Sequence, residues 1–195
     1  MDFENIKISV NKDLQRPLDI ELLDDWVHAH YRPTDKMAFM DSWRTNGERH
    51  RLFKSGWSIK DVVTRDQDLD GSQKKPQAKK NAVDVELMMA VVEYILEADV
   101  WTVVIMSGDG DYLPLIKLLK KRGIEVHVLA VNTSLARKLE AFADKLYTYE
   151  DLLQAHKLEK VEKVAEDFSH HEVSGDLTNI ENPAQTPVVQ EEVKK

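Results

Sequence analysis

The stretch WTVVIMSGDGDYLPLIKLLKKRG, Trp101–Gly123, decides the fold. WTVVIM is a short apolar run, the mark of a strand covered on both faces. YLPLIKLLKKRG repeats its apolar residues at helical spacing and closes on Gly123. Between them lies SGDGD, which sets Asp109 and Asp111 at the mouth of a buried strand. Working outward, the alternation continues. IEVHVLAV (124–131) reads as a strand, SLARKLEAFA (134–143) as a helix and KLYTYE (145–150) as a last strand. Upstream, NAVDVELMMAVVEYILEAD (81–99) carries Val83, Leu87, Ala90, Val91, Tyr94 and Ile95 along one helical side.

Earlier still, helix and strand signals take turns. Residues 16–31 have helical spacing, with Pro17 in a first turn. Residues 36–43 and 57–63 read as short strands. Between them lies a short helix in 46–56, capped by Asn46 and stopped by Gly56. Residues 64–80 are polar, without a periodic apolar face, and read as a loop. Repeated strand–helix–strand units imply an α/β protein whose parallel sheet has helices on both faces. Its ligand site belongs at the C-terminal ends of the strands, where SGDGD falls. The pattern decays near Lys157. One domain is expected over 1–155 and an acidic, largely disordered tail over 156–195.

Composition excludes several function classes. The 195 residues include no cysteine, so disulfides and thiolate metal sites are out, and a reducing cytoplasm fits. No window resembles a membrane span or a secretory signal. The net charge is −8. Residues 150–195 hold 11 acids and 5 bases, or −6, which leaves only −2 on the body. A nucleic-acid site is neither demanded nor forbidden by that balance.

Two readings compete for SGDGD. As a strand-to-helix turn, the glycines permit tight geometry and an aspartate caps the helix. As a metal mouth, the two carboxylates repel each other and a divalent cation offsets that repulsion. Mg²⁺ prefers such oxygen ligands. A dinucleotide site fits poorly, because Leu113 replaces the third glycine of the fingerprint and Asp109 stands where a pyrophosphate would lie. An aspartyl-phosphate phosphatase would want a hydroxyl-bearing residue soon after, and YLPL offers only a tyrosine. Further acids come from Asp84, expected in the first turn of its helix, and from Asp2 beside Asn5. Trp43, Trp57 and Trp101 are expected in the core.

Three pieces in this order resemble the NYN-domain proteins, in the LabA-like branch of the PIN-like nuclease superfamily. They are DFEN (2–5), KNAVDVEL (80–87) and SGDGDYLPLIKLLKKRGIEVHVLAV (107–131). The resemblance implies a three-layer α/β/α sandwich with a central parallel sheet. It implies an RNA-cleaving site with Mg²⁺ or Mn²⁺ held by Asp2, Asp84, Asp109 and Asp111. Cleavage would leave a 5′-phosphate and a 3′-hydroxyl. Asn5 would orient a ligand or phosphate, Ser107 would stand behind the ligands, and Lys79 and Lys80 would track the RNA backbone. Two departures stand out. Only Met1 precedes Asp2, so the first strand is expected to be truncated or Met1 to be an internal start. Ala90 stands where many members carry a further acid. The expected function is a metal-dependent endoribonuclease. The alternative is a non-catalytic module of the same fold that binds RNA or protein, with a homo-oligomer among the expected assemblies.

Overall fold

The computed structural model describes residues 1–41, 46–62 and 76–171; for residues 46, 76–81 and 163–171 it describes the backbone alone. The chain divides into two units, Met1–Lys157 and Leu158–Lys195. The first carries the fold. Of the second, residues 158–171 are described and are helical.

The helices are α1 (Phe3–Asp13), α2 (Ile20–His30), α3 (Asn46–Lys54), α4 (Pro76–Glu97), α5 (Leu113–Lys121), α6 (Arg137–Glu140) and α7 (Tyr149–His171). The strands are β1 (Met37–Asp41), β2 (Ser58–Val62), β3 (Thr102–Met106), β4 (Glu125–Ala130) and β5 (Lys145–Thr148). Every pairing is parallel: β1 with β2, β3 with β4 and β4 with β5. Parallel neighbours need crossovers, and the helices supply them.

Among the described residues, the backbone of Met1 and Asp2 joins the halves of this sheet. The Phe39 N–H donates to Met1 O (2.9 Å) and the Asp2 N–H to Met106 O (3.1 Å). Met1–Asp2 thus bridges β1 and β3, giving the order β2–β1–(Met1–Asp2)–β3–β4–β5.

Side chains of one strand alternate between two cores, as a pleated strand requires. Ala38, Met40 and Leu129 join Phe3, Ile6, Leu23, Trp26 and Tyr149 on the side of α1, α2 and α7. Phe39, Val126 and Val128 join Val83, Leu87, Ile116 and Leu119 on the side of α4 and α5. That is the three-layer α/β/α sandwich. His127 is the polar intruder on the first side. It accommodates burial through Tyr31, whose hydroxyl lies 2.6 Å from Nδ1.

Several boundaries differ from the sequence reading. Residues 3–13 form a helix that the sequence reading leaves unassigned, with Asp2 as its cap. The helix expected from residue 16 begins at Ile20, because Asp19 caps it by accepting from Leu22 N–H (3.1 Å). The expected loop 64–80 ends earlier, with α4 starting on Pro76, a residue suited to a first helical position. Residues 63–75 lie outside the described residues. Asp84 therefore sits two turns inside α4, beyond reach of the end charge invoked for a first turn. The helix expected over 134–143 shrinks to the four residues of α6, because the preceding segment is pinned to the SGDGD loop by the Ala136 N–H donating to Gly108 O (3.0 Å). Trp57 is buried, but Trp101 is 85% exposed, so it is not core. Trp43 lies outside the described residues.

Candidate metal centre

The site is built at the C-terminal end of β3. There Ser107 and Gly108 leave the sheet and Asp109 caps a 3₁₀ turn, Gly110–Tyr112, that leads into α5. The Asp109 Oδ1 accepts from the Asp111 N–H (3.0 Å), so the turn reading of SGDGD holds locally. It does not exclude the metal reading, since a carboxylate has a second oxygen. Gly108 is required for close approach. A Cβ there would stand 2.5 Å from Ser134 O. At Gly110 a Cβ would meet mainly the flexible end of Lys138.

Three carboxylates converge on this turn. Asp84, Asp109 and Asp111 each bring an oxygen to within 4.8 Å of the other two. Asp84 is buried, Asp109 half-buried and Asp111 exposed, so the group opens to solvent on one side. The Lys138 Nζ is 3.7 Å from Asp111, at an exposed position where screening weakens the pair.

Asp2 stands beside this trio rather than in it. Its carboxylate is 5% exposed and its oxygens already have donors. Oδ1 accepts from the Asn5 N–H (3.1 Å) and caps α1. Oδ2 lies 3.4 Å from the Ser107 hydroxyl and 3.1 Å from that of Tyr112. The Tyr112 hydroxyl also lies 2.7 Å from Asp84 Oδ1. A phenol has one proton, so it cannot donate fully to both carboxylates. Burial pushes Asp2 up from the ordinary 3.8 to about 6, and the charge of Asp84 adds to the rise; bonds from Asn5 and Tyr112 offset part of it. Burial likewise drives the Tyr112 phenol well above its usual value, with the Asp2 and Asp84 carboxylates adding to it. It remains a neutral donor.

The remaining sequence candidates fall as follows. Asn5 accepts from the Gly108 N–H with Oδ1 (3.0 Å), tying α1 to the loop. Ser107 is fully buried and accepts from the Asp109 N–H (3.2 Å) while it faces Asp2. Lys79 and Lys80 lie in α4 near its start, and their side chains are outside the described residues. Ala90 is half-buried on α4. The residue that sequence reasoning missed is Tyr112. Its signal was its place directly after the second aspartate, at a position the amphipathic pattern assigns to the core.

The family model for the NYN domain matches residues 1–152. The chain belongs to the NYN-domain family. NYN is a domain of the PIN-like nuclease superfamily, whose members generally use divalent metals. An uncharacterized protein of Methanocaldococcus jannaschii, MJ0482, is 30% identical over 91 residues. That match covers 46% of this chain and 38% of the relative's length. A crystal structure of a protein of unknown function from Vibrio parahaemolyticus, VPA0982, superposes with a TM-score of 0.63 at 21% identity. It covers 77% of this chain and 90% of the other and supports the fold. Among the described residues no helix is long and apolar enough to cross a membrane.

Proposed function

We propose that this NYN domain is a Mg²⁺- or Mn²⁺-dependent endoribonuclease that hydrolyses RNA phosphodiester bonds. The observation that carries the reading is the trio Asp84, Asp109 and Asp111 at the strand ends of a PIN-like fold. Its donor set is all oxygen and faces solvent, which suits a hard cation that keeps waters and takes phosphate oxygens. Those three residues would hold the ion, with Asp2 one hydroxyl away through Tyr112. Such an ion supplies a water of lowered pKa and polarises the phosphodiester.

The chain's own residues do the rest. Tyr112 holds Asp84 through its Oδ1 from the buried side, within the group formed with Asp109 and Asp111. Asp109 is held by its cap bond to Asp111 N–H, so its carboxylate is preorganised without the ion. Asn5 and Ser107 hold the loop in register with α1. Lys138, half-exposed beside Asp111, together with Lys79 and Lys80 offers positive charge to an RNA backbone. The motifs DFEN and SGDGDYLPL support placing the chain in the LabA-like branch.

A second reading, a non-catalytic module that binds RNA through the same site, is favoured by Ala90 and by the occupied oxygens of Asp2. Metal titration separates the two. Mn²⁺ should raise the melting temperature of the wild type and leave Asp84→Asn unmoved. A wild type indifferent to Mn²⁺ contradicts the first reading.

A further inference from the structure

Beside the trio the surface changes character. The helix α6 and the turn after it lie against α5. The exposed side chains there include Lys117, Arg137, Lys138 and Phe142. Phe142 is 38% exposed. A single exposed apolar residue is ordinary and needs no function. Three observations set this one apart.

The first is its backbone. The Ala141 N–H donates to Arg137 O (3.2 Å) and the Phe142 N–H to Leu139 O (3.1 Å), so helical turning carries on through Phe142. Lys138 and Phe142 are four residues apart on that turn and share a face. Leu139, fully buried, holds the turn down from the other side. The second is Lys117, whose Nζ stands 4.8 Å from the centre of the Phe142 ring. The third is the path of Lys138. A Cβ on Gly110 would collide with its Cε, so the lysine stem lies across the SGDGD loop in the space a side chain would take. The ammonium is thereby kept at the rim of the trio, 3.7 Å from Asp111. The bond from the Ala136 N–H to Gly108 O (3.0 Å) fixes the start of α6 to the same loop.

An ammonium next to an aromatic ring is what single-stranded nucleic acid requires. The charge tracks a phosphate and the ring carries an unstacked base. A duplex keeps its bases stacked on one another and offers none to such a ring. The pair of Lys138 with Asp111 is exposed and weak, so the ammonium can exchange it for a phosphate.

We propose that Lys138 and Phe142 form a subsite for one nucleotide of a single-stranded RNA, the neighbour of the nucleotide at the trio. The Lys138 ammonium takes the phosphate. The Phe142 ring carries the base on one face, while Lys117 holds the other. Every base has a flat face to stack, so this subsite selects an unpaired strand and not a sequence. The choice of RNA as the strand rests on the nuclease reading above.

The test is equilibrium binding of a labelled oligouridylate to the full 195-residue chain, followed by fluorescence anisotropy in EDTA, where no metal-dependent cleavage intrudes. Phe142→Leu should weaken binding by about tenfold and leave its salt dependence unchanged. Lys138→Met should lower the slope of log affinity against log salt by about 0.7, the contribution of one single-strand phosphate. Phe142→Trp should keep the affinity and Lys138→Arg the slope. A blunt RNA duplex should bind the wild type and Phe142→Leu alike. A wild type that does not bind the strand overturns the proposal. So do an unchanged affinity in Phe142→Leu, an equal loss on the duplex, or an unchanged slope in Lys138→Met. Failure here is distinct from failure of the nuclease reading. A chain that binds RNA in this way but neither takes Mn²⁺ nor cleaves keeps the subsite and loses that reading. An active nuclease whose RNA affinity ignores Phe142 keeps the reading and loses the subsite.

Discussion

The two halves of the sheet hold their acids differently. On one side, β3, β4 and β5 form continuous ladders, and the SGDGD loop at their ends is anchored by Asn5, Ser134 and Ala136. On the other side, β1 pairs with β2 and is bridged to β3 through the backbone of Met1 and Asp2. Asp109 and Asp111 therefore sit on a rigid support, partly open to water. Asp2 is buried at a seam and held by borrowed hydroxyls. On the proposed function, the contrast separates two jobs that sequence motifs merge. Acids that take a cation must keep an oxygen toward solvent; an acid that joins the layers has its oxygens satisfied from within. Tyr112 connects the two groups.

The largest expected effect lies on the rigid side. Gly108→Ala drives a Cβ into Ser134 O and C, which are backbone and cannot swing away. The loop should shift, at a cost of about 3 kcal/mol, visible in thermal or urea melting. Gly110→Ala, which meets mainly a lysine side chain, should cost less, and equal costs would break the comparison.

Next comes the connection. Tyr112→Phe removes the hydroxyl that serves Asp2 and Asp84. Leaving buried carboxylates short of a donor should cost about 2 kcal/mol. Because the Tyr112 bond lowers the Asp2 pKa, its loss should raise that pKa above about 6, measurable by carboxyl NMR titration. An unmoved Asp2 would show that the two groups are not coupled.

A smaller effect belongs to the seam and depends on pH. The folded Asp2 value of about 6 lies above the ordinary 3.8, so the folded state holds this proton more tightly than the unfolded chain. The associated stability is full below about pH 4 and is lost as pH rises through 6. The Met1 amine has the opposite sign: stability is present above pH 8 and lost as pH falls through about 5. Asp2→Asn keeps the cap and removes the first titration, and it also takes away the charge that raises the Met1 amine. Without metal, its melting advantage over the wild type should grow between pH 4 and 7, by about 2 kcal/mol. A constant difference would mean that Asp2 is not buried as described.

Much of this was legible in the sequence. The apolar run before SGDGD placed Asp109 and Asp111 at a strand end, and the lone acid between Val83 and Val85 marked Asp84. What escaped had physical reasons. DFEN looked like a motif, yet Phe3, Ile6 and Val10 also recur at helical spacing, and Asp2 caps the helix they form. Tyr112 stands in YLPL as a lone tyrosine; its ring is buried, and the role of its hydroxyl depends on Asp2, far away in sequence. SLARKLEAFA has helical propensity, but contact with the Gly108 turn overrides it before Arg137. Trp101 looked like core by type, and its exposure follows from its place before β3 begins.

The most direct test of the metal centre is Mn²⁺-dependent cleavage of a single-stranded RNA pool by the wild type and by Asp109→Asn, each checked for folding by metal-free melting. The wild type should cut. Asp109→Asn should lose about 100-fold or more of that activity, with a metal-free melting temperature equal to or above the wild type's, because a repulsive charge has been removed. Cleavage unchanged in Asp109→Asn, or an activity loss matched by a lower metal-free melting temperature, would contradict the assignment of this trio as the catalytic metal site.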